Sequence, residues 1–214
     1  MPVPVSARTG NRPMIAPAHL SRSRHSHFQT RSPAGKYILK SFFRTIDRLV
    51  AGLDVRSVLD VGCGEALLLE SLEPRLSGKR CCAFDLDPSF VTAAVGHVRF
   101  AQFQVGSAYA IPYVGGSFDL VMCTEVLEHL EKPEVALREL HRVSARYGLF
   151  SVPREPLWRV LNLARGAYWK DLGNPPEHIN HWGSRQFQDF VAPYFTPIRT
   201  FRPVPWTVVL CEKR

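Results

Sequence analysis

With 214 residues, 45% of them hydrophobic, the chain is long enough for one α/β domain with a proper core and too short for two full ones. No apolar run approaches the roughly 18 residues that cross a bilayer, and the amino terminus carries no secretory h-region, so no transmembrane segment is expected. The net charge of +8 sits in one place: residues 1–46 hold eight Arg or Lys and no acid, and from Asp47 onward nineteen basic residues face nineteen acidic ones.

The neutral remainder argues against a nucleic-acid partner, because phosphate contacts need a basic stripe on the folded domain. The cysteines are Cys63, Cys81, Cys82, Cys123 and Cys211. Their odd number and the lack of a CxxC pair exclude a disulfide framework and a zinc knuckle, and point to a reducing, cytoplasmic setting.

In chain order, residues 1–31 are rich in Pro, Arg and Ser and lack apolar periodicity, which predicts a disordered basic tail. Pro2, Pro4, Pro13 and Pro17 break the amphipathic helix that an organellar transit peptide needs. One domain is expected over 32–214. Ser32-Pro33 reads as a helix start, and Ile38, Leu39, Phe42, Phe43, Ile46, Leu49, Val50 and Leu53 follow at helical spacing.

Strands and helices then alternate. Strands are predicted at Ser57–Val61, Arg80–Asp85, Arg99–Val105, Phe118–Cys123 and Tyr147–Val152, and helices at Glu65–Leu72, Pro88–Val95 and Pro133–Val143. A polar, aromatic-rich stretch spans 154–183, followed by a helix over 184–193. Thr196–Arg202 and Thr207–Cys211 flank Pro203-Val204-Pro205, so they pair antiparallel. The sum is an α/β, Rossmann-like, doubly wound, mostly parallel seven-stranded sheet with a carboxyl-terminal antiparallel hairpin. Ligands on such sheets bind at the carboxyl ends of the strands.

The segment VLDVGCGEALLLE, residues 58–70, joins a buried strand to a helix through a glycine turn. A dinucleotide turn wants GxGxxG, but Leu67 stands where the third glycine belongs. Asp60, two residues before Gly62, is a carboxylate on an apolar strand and needs a partner. Asp85 ends the second strand, 23 residues after Gly62, where an acid can accept from ribose hydroxyls.

Three segments in order, VLDVGCGEA, AFDLDPSFV and GSAYAIPYVGGSFDLVMCTEVLEHL, resemble the glycine, ribose and adenine-to-fourth-strand motifs of class I S-adenosylmethionine-dependent methyltransferases. The resemblance covers roughly 150 residues. It implies S-adenosyl-L-methionine as cofactor. Gly62, Cys63 and Gly64 would let the backbone approach the methionine part, with Asp60 near its amino group. Asp85 would take the ribose, Leu86 would flank the adenine, and Ser107 and Ala108 would line its edge. Ser107 departs from the Asp often found there, although a hydroxyl can still accept.

Two stretches offer acceptor chemistry. Glu125, Glu128 and His129 form E-x-x-E-H, and i, i+3, i+4 spacing would aim all three from one helical turn. The pattern is similar to the metal-ligand motif of ubiquinone-pathway O-methyltransferases and of small-RNA 2′-O-methyltransferases, in which a later histidine completes the site. A divalent metal is one reading; Glu and His supporting a helix is the other.

The second stretch, 154–183, is the expected acceptor-pocket insertion. It carries Trp158, Tyr168, Trp169 and Trp182 with Arg159, Arg165, His178, Asn180 and His181. His178 or His181 could act as general base, or could cap the next helix. Trp158, Val160, Leu161, Leu163 and Tyr168 could also form an edge for transient contact with a membrane. The resulting expectation is O-methylation of a small or lipid-like metabolite. The alternatives are a metal-dependent RNA 2′-O-methyltransferase and a non-catalytic S-adenosylmethionine-binding partner subunit.

Overall fold

A computed structural model describes residues 32–214; the basic tail expected over 1–31 lies outside them. Helix α1 (Pro33–Ala51) starts as the sequence predicts, with the Ser32 hydroxyl accepting from the Gly35 N–H at 3.0 Å and Pro33 in the first turn. There follow β1 (Ser57–Val61), α2 (Leu67–Ser71), α3 (Glu73–Leu76), β2 (Arg80–Asp85), α4 (Pro88–His97), β3 (Ala101–Val105) and β4 (Phe118–Thr124). The second half holds α5 (Pro133–Val143), β5 (Ser144–Pro153), α6 (Leu157–Ala164), α7 (Ser184–Val191), β6 (Phe195–Phe201) and β7 (Trp206–Lys213).

The seven strands form one sheet in the order β3-β2-β1-β4-β5-β7-β6. The first five are parallel to one another, and β7 runs antiparallel to both β5 and β6. Period-2 alternation sorts the side chains into two buried layers. Val58, Leu120, Met122, Leu149, Val208 and Leu210 pack against the side of α1 to α4; Leu59, Val61, Val121, Cys123, Phe150, Val209 and Cys211 pack against α5 and α7. All five cysteines are free, and four of them are buried as small core residues. No described helix is long and apolar enough to cross a membrane.

One local departure has a physical cause. The helix expected from Glu65 starts at Leu67, because Ala66 takes a left-handed conformation (φ 61°) that extends the glycine turn. The stretch 154–183, to which the sequence assigns no bounded element, contains α6 and a 3₁₀ turn at Trp169–Asp171.

Candidate active site at the carboxyl edge

The parallel strands β1, β2, β3 and β4 end on one edge, and the loops leaving them carry most of the residues singled out by sequence. After β1 the chain turns at Gly62 (φ 74°) and Gly64 (φ 52°), both left-handed, where a side chain is strained. A Cβ on Gly62 would overlap the Val126 side chain, so the turn after β1 lies against the segment after β4. A Cβ on Gly64 would meet nothing within 4 Å, which leaves open space over that backbone. The Gly62 and Cys63 N–H groups donate to the Phe84 carbonyl at 2.9 and 3.1 Å and dock the turn on β2.

Asp85 fixes the geometry beside it. Its two oxygens accept from the Gly64 N–H at 2.8 Å and the Asp87 N–H at 2.9 Å. Each carboxylate oxygen retains capacity for a second donor, such as a ribose hydroxyl. Leu86 follows, 44% exposed. After β3, the Gly106 N–H donates to the Asp85 carbonyl at 2.9 Å, and the Ser107 hydroxyl accepts from the Tyr109 N–H at 3.2 Å. Ala108 is half-buried on the same loop.

Asp60 lies under this turn. It is 2% exposed, and its Oδ1 has no hydrogen-bond partner. Burial, and secondarily the neighbouring Asp85 charge, push its carboxyl up to about 7. A cationic group at the turn would relieve that cost. The same burial raises the Cys63 thiol and disfavours its thiolate.

After β4 the structure departs from the helical turn expected of E-x-x-E-H. Glu125 is left-handed (φ 59°), and only Leu127–His129 forms a single 3₁₀ turn. The three side chains therefore do not converge. Glu125 Oε1 accepts from the Ser151 hydroxyl at 2.8 Å and Oε2 from the Trp206 indole N–H at 2.6 Å. Burial raises its carboxyl to about 8 against the opposing effect of those two bonds.

Glu128 takes a different position. It is 1% exposed, and neither carboxylate oxygen has a hydrogen bond. Burial, then the Glu125 charge, hold its carboxyl well above the usual range. His129 Nδ1 lies 2.9 Å from the Glu177 carbonyl, so that nitrogen carries the proton and donates; His129 Nε2 stands 3.9 Å from Glu128 Oε1. His178, buried at 3% exposure, brings its ring to 4.9 Å from that of His129, edge to face. One ligand atom each of Glu128, His129 and His178 lies within 4.8 Å of the others.

The insertion is tied to this turn from the far side. The Ile179 and Asn180 N–H groups donate to the Glu128 carbonyl, each at 3.0 Å, and the Asn180 amide donates to the carbonyls of Leu127 and Leu130 at 3.2 and 2.6 Å. His181 stands apart. It is exposed, with Nε2 2.7 Å from Asn174 Oδ1 and 3.3 Å from the Arg159 guanidinium. Its pKa is lowered, by burial first and by Arg159 second. The start of α7 is closed by the Gln186 amide oxygen, which accepts from the Gly183 N–H at 2.8 Å.

The structure thus places Glu128, His129 and His178 in one cluster and leaves Glu125 and His181 outside it. The sequence carried no sign of the partners that decide this: Ser151, Trp206, Val126 and the Glu177 carbonyl. Their positions depend on strand pairing, not on a local pattern.

Residues 59–152 match a family described as a methyltransferase domain. The ubiquinone biosynthesis O-methyltransferase of Xanthomonas oryzae is 35% identical over 157 residues, covering 62% of this chain and 63% of that one. Its counterpart in Xanthomonas campestris is 33% identical over 167 residues, covering 66% and 67%. Norajmaline N-methyltransferase of Rauvolfia serpentina is 33% identical over 96 residues, covering 42% of this chain and 32% of that one. The chain therefore spans about 63% of the Xanthomonas oryzae relative's length. The crystal structure of magnesium protoporphyrin IX methyltransferase from Synechocystis, with S-adenosylhomocysteine bound, superposes with a TM-score of 0.62 at 19% identity, covering 87% and 90%. That likeness concerns the fold.

Proposed function

Because the chain belongs to the class I S-adenosylmethionine-dependent methyltransferase family, we propose that it transfers the S-adenosylmethionine methyl group to a hydroxyl of a small or lipid-like metabolite. In that reaction the acceptor oxygen bonds to the methyl carbon as the carbon–sulfur bond breaks. The sulfur keeps the electron pair, giving S-adenosylhomocysteine, and the hydroxyl proton passes to water.

The residues fit the cofactor. Gly62 and Gly64 give it backbone and space, Asp85 takes the ribose, and Leu86, Ser107 and Ala108 border the adenine. Asp60 balances the amino group, directly or through water. The unpartnered Asp60 oxygen under an open glycine turn is the observation that carries this part.

A divalent metal would fit Glu128, His129 and His178, since a buried carboxylate without hydrogen bonds beside two imidazoles is a donor set of the kind such an ion takes. Such an ion, when bound, supplies Lewis acidity that lowers the pKa of an acceptor hydroxyl. The chain's own part is orientation. The Glu177 carbonyl holds the His129 ring, and the 179–180 backbone holds the turn beneath Glu128. Val126, two residues before Glu128, abuts Gly62, so acceptor and cofactor chemistry meet on one edge.

An apolar rim suits a lipid-like acceptor. Val160, Trp169 and Leu172 are 56%, 66% and 71% exposed around α6 and the loop after it. Trp158 and Leu163, expected on that edge, are partly buried instead, Trp158 lying against His178 and Trp206. The balanced charge from Asp47 onward favours this acceptor class over RNA.

Calorimetric titration of the metal-stripped full chain tests the reading. S-adenosylhomocysteine should bind the wild type and fail to bind Asp85→Ala. Manganese should then give a separate heat that Glu128→Gln abolishes. Absence of S-adenosylhomocysteine binding by the wild type overturns the methyltransferase reading, and absence of the manganese heat overturns the metal.

A further inference from the structure

Glu125 is the member of E-x-x-E-H that the structure engages elsewhere. A residue with a β-carbon at φ 59° is held against its own backbone preference, at a cost of about 1–2 kcal/mol, so other contacts must fix it there. Hydrogen bonds to β5 and β7 supply those contacts. One carboxyl oxygen takes the Ser151 hydroxyl of β5 and the other takes the indole N–H of Trp206, the first residue of β7. The Glu125 N–H also donates to the Ser151 carbonyl at 3.1 Å.

Trp206 begins a row of rings. Its centroid lies 4.6 Å from Phe42 of α1 and 6.2 Å from Trp158 of α6; Trp158 stacks on His178 at 5.7 Å and 26°, and His178 meets His129 edge to face at 4.9 Å. A buried ring is oriented by what packs on its faces. The His178 face lies on Trp158, whose neighbour Trp206 is pinned by Glu125.

We infer that Glu125 is not a metal ligand in this chain but a positioning residue: it pins Trp206 across β5 and β7, and through the Trp206–Trp158 wall it sets the ring of His178 toward Glu128 and His129. The inference rests on the metal reading of that cluster for its functional consequence, and on the hydrogen bonds and ring contacts alone for the geometry. It also explains why a left-handed glutamate is tolerated between β4 and the 3₁₀ turn. The bent backbone aims Glu125 at β7 and leaves Glu128 to the cluster.

The discriminating variant is Glu125→Gln. A glutamine oxygen still accepts from the indole, and its amide can donate to the Ser151 hydroxyl, which serves as donor or acceptor. The charge of a ligand carboxylate, by contrast, has no equivalent in glutamine, whose neutral carbonyl is a much weaker donor to a divalent cation. With the metal-stripped full chain and manganese alone as probe, Glu125→Gln should bind within about threefold of the wild type. Glu125→Ala and Trp206→Phe should lose about tenfold, the effect expected for an outer-shell partner. Glu128→Gln should lose binding altogether.

Two readouts do not need the metal. In NMR spectra of the metal-stripped protein, the His178 imidazole resonances should move in Glu125→Ala and Trp206→Phe and return toward wild-type values in Glu125→Gln. Tryptophan emission should shift in Glu125→Ala and not in Glu125→Gln. Loss of manganese in Glu125→Gln as complete as in Glu128→Gln would make Glu125 a ligand and overturn the inference. An unmoved His178 signal in Glu125→Ala would overturn it equally. If the wild type binds no manganese, the metal reading fails while the His178 and emission shifts still decide the positioning role.

Discussion

At Asp60 the requirements of stability and of binding oppose each other. The carboxyl titrates near 3.8 when unfolded and at about 7 when buried beneath the glycine turn. The folded state therefore holds a proton that the unfolded state has lost. Between those two values stability falls as pH rises, and above about 7 the loss is complete. Asp60→Asn removes the titration. Thermal melts of the ligand-free variant should show a flatter pH profile and a higher Tm than the wild type at pH 8, while its affinity for S-adenosylhomocysteine falls about tenfold, the size of one charge-assisted hydrogen bond. A wild-type melt that is level from pH 4 to 7 would contradict the buried, unpartnered carboxyl. Gly62 poses a steric question instead. Gly62→Ala forces a side chain into a left-handed backbone and onto Val126, so denaturation should show a loss of about 1–2 kcal/mol or more, together with lost S-adenosylhomocysteine binding. Adding Val126→Ala should recover part of the stability, because it removes the clash and leaves the strain. Equal stability of the single and double variants would show that the clash is absent.

Among elements, those with a local cause were legible in the sequence. Helix α5 and strands β1 and β2 fall on the predicted residues, because Pro133 marks a first turn and the strands are continuous apolar runs. The Ser32-Pro33 start and the antiparallel β6–β7 pair are likewise local signals. The candidate cofactor turn was legible for the same reason, since Gly62, Gly64 and Asp85 are fixed by a strand–turn–helix unit. The region after β5 was not. Helix α6 is short, and the loop after it is tied back to it: the buried Asn162 amide donates to the Gly173 carbonyl at 2.8 Å. Gly173 itself sits at φ 80°, and a Cβ there would overlap the Arg159 carbonyl, so the loop folds back tightly on the helix. No sequence period announces such a closure. Asn162→Ala would leave the Gly173 carbonyl without its donor, at about 1–3 kcal/mol. That cost is local. Hydrogen exchange should quicken at 165–173 and not in the central strands, and the acceptor KM should rise with S-adenosylhomocysteine affinity unchanged. Uniform acceleration across the sheet would instead make α6 part of the global core.

For the whole molecule, charge and apolar surface decide what the open edge can meet. From Asp47 onward the acids and bases balance, so association with polyanions has little counterion release to draw on. On the insertion, by contrast, Val160, Trp169 and Leu172 stay in water at a cost that burial in an apolar phase would recover, on the order of 1.5–3 kcal/mol per large side chain when fully covered. They lie in the same insertion as His178, so a surface covering them would meet the segment that carries it. On this face Arg159 is turned toward Glu155 and His181, while Arg165 and Lys170 are exposed, so lipid charge must be separated from apolar contact. Vesicles of neutral phosphatidylcholine isolate the apolar contribution. The full chain should co-sediment with them in a manner little changed by salt, with a blue shift in tryptophan emission that Trp169→Ala removes, and Leu172→Ala should weaken binding without altering S-adenosylhomocysteine affinity. Binding that appears only with anionic lipid and disappears in salt would assign the contact to basic residues, those before Asp47 or Arg165 and Lys170, and not to the apolar rim. A chain that ignores both kinds of vesicle would limit the acceptor to one that arrives through water.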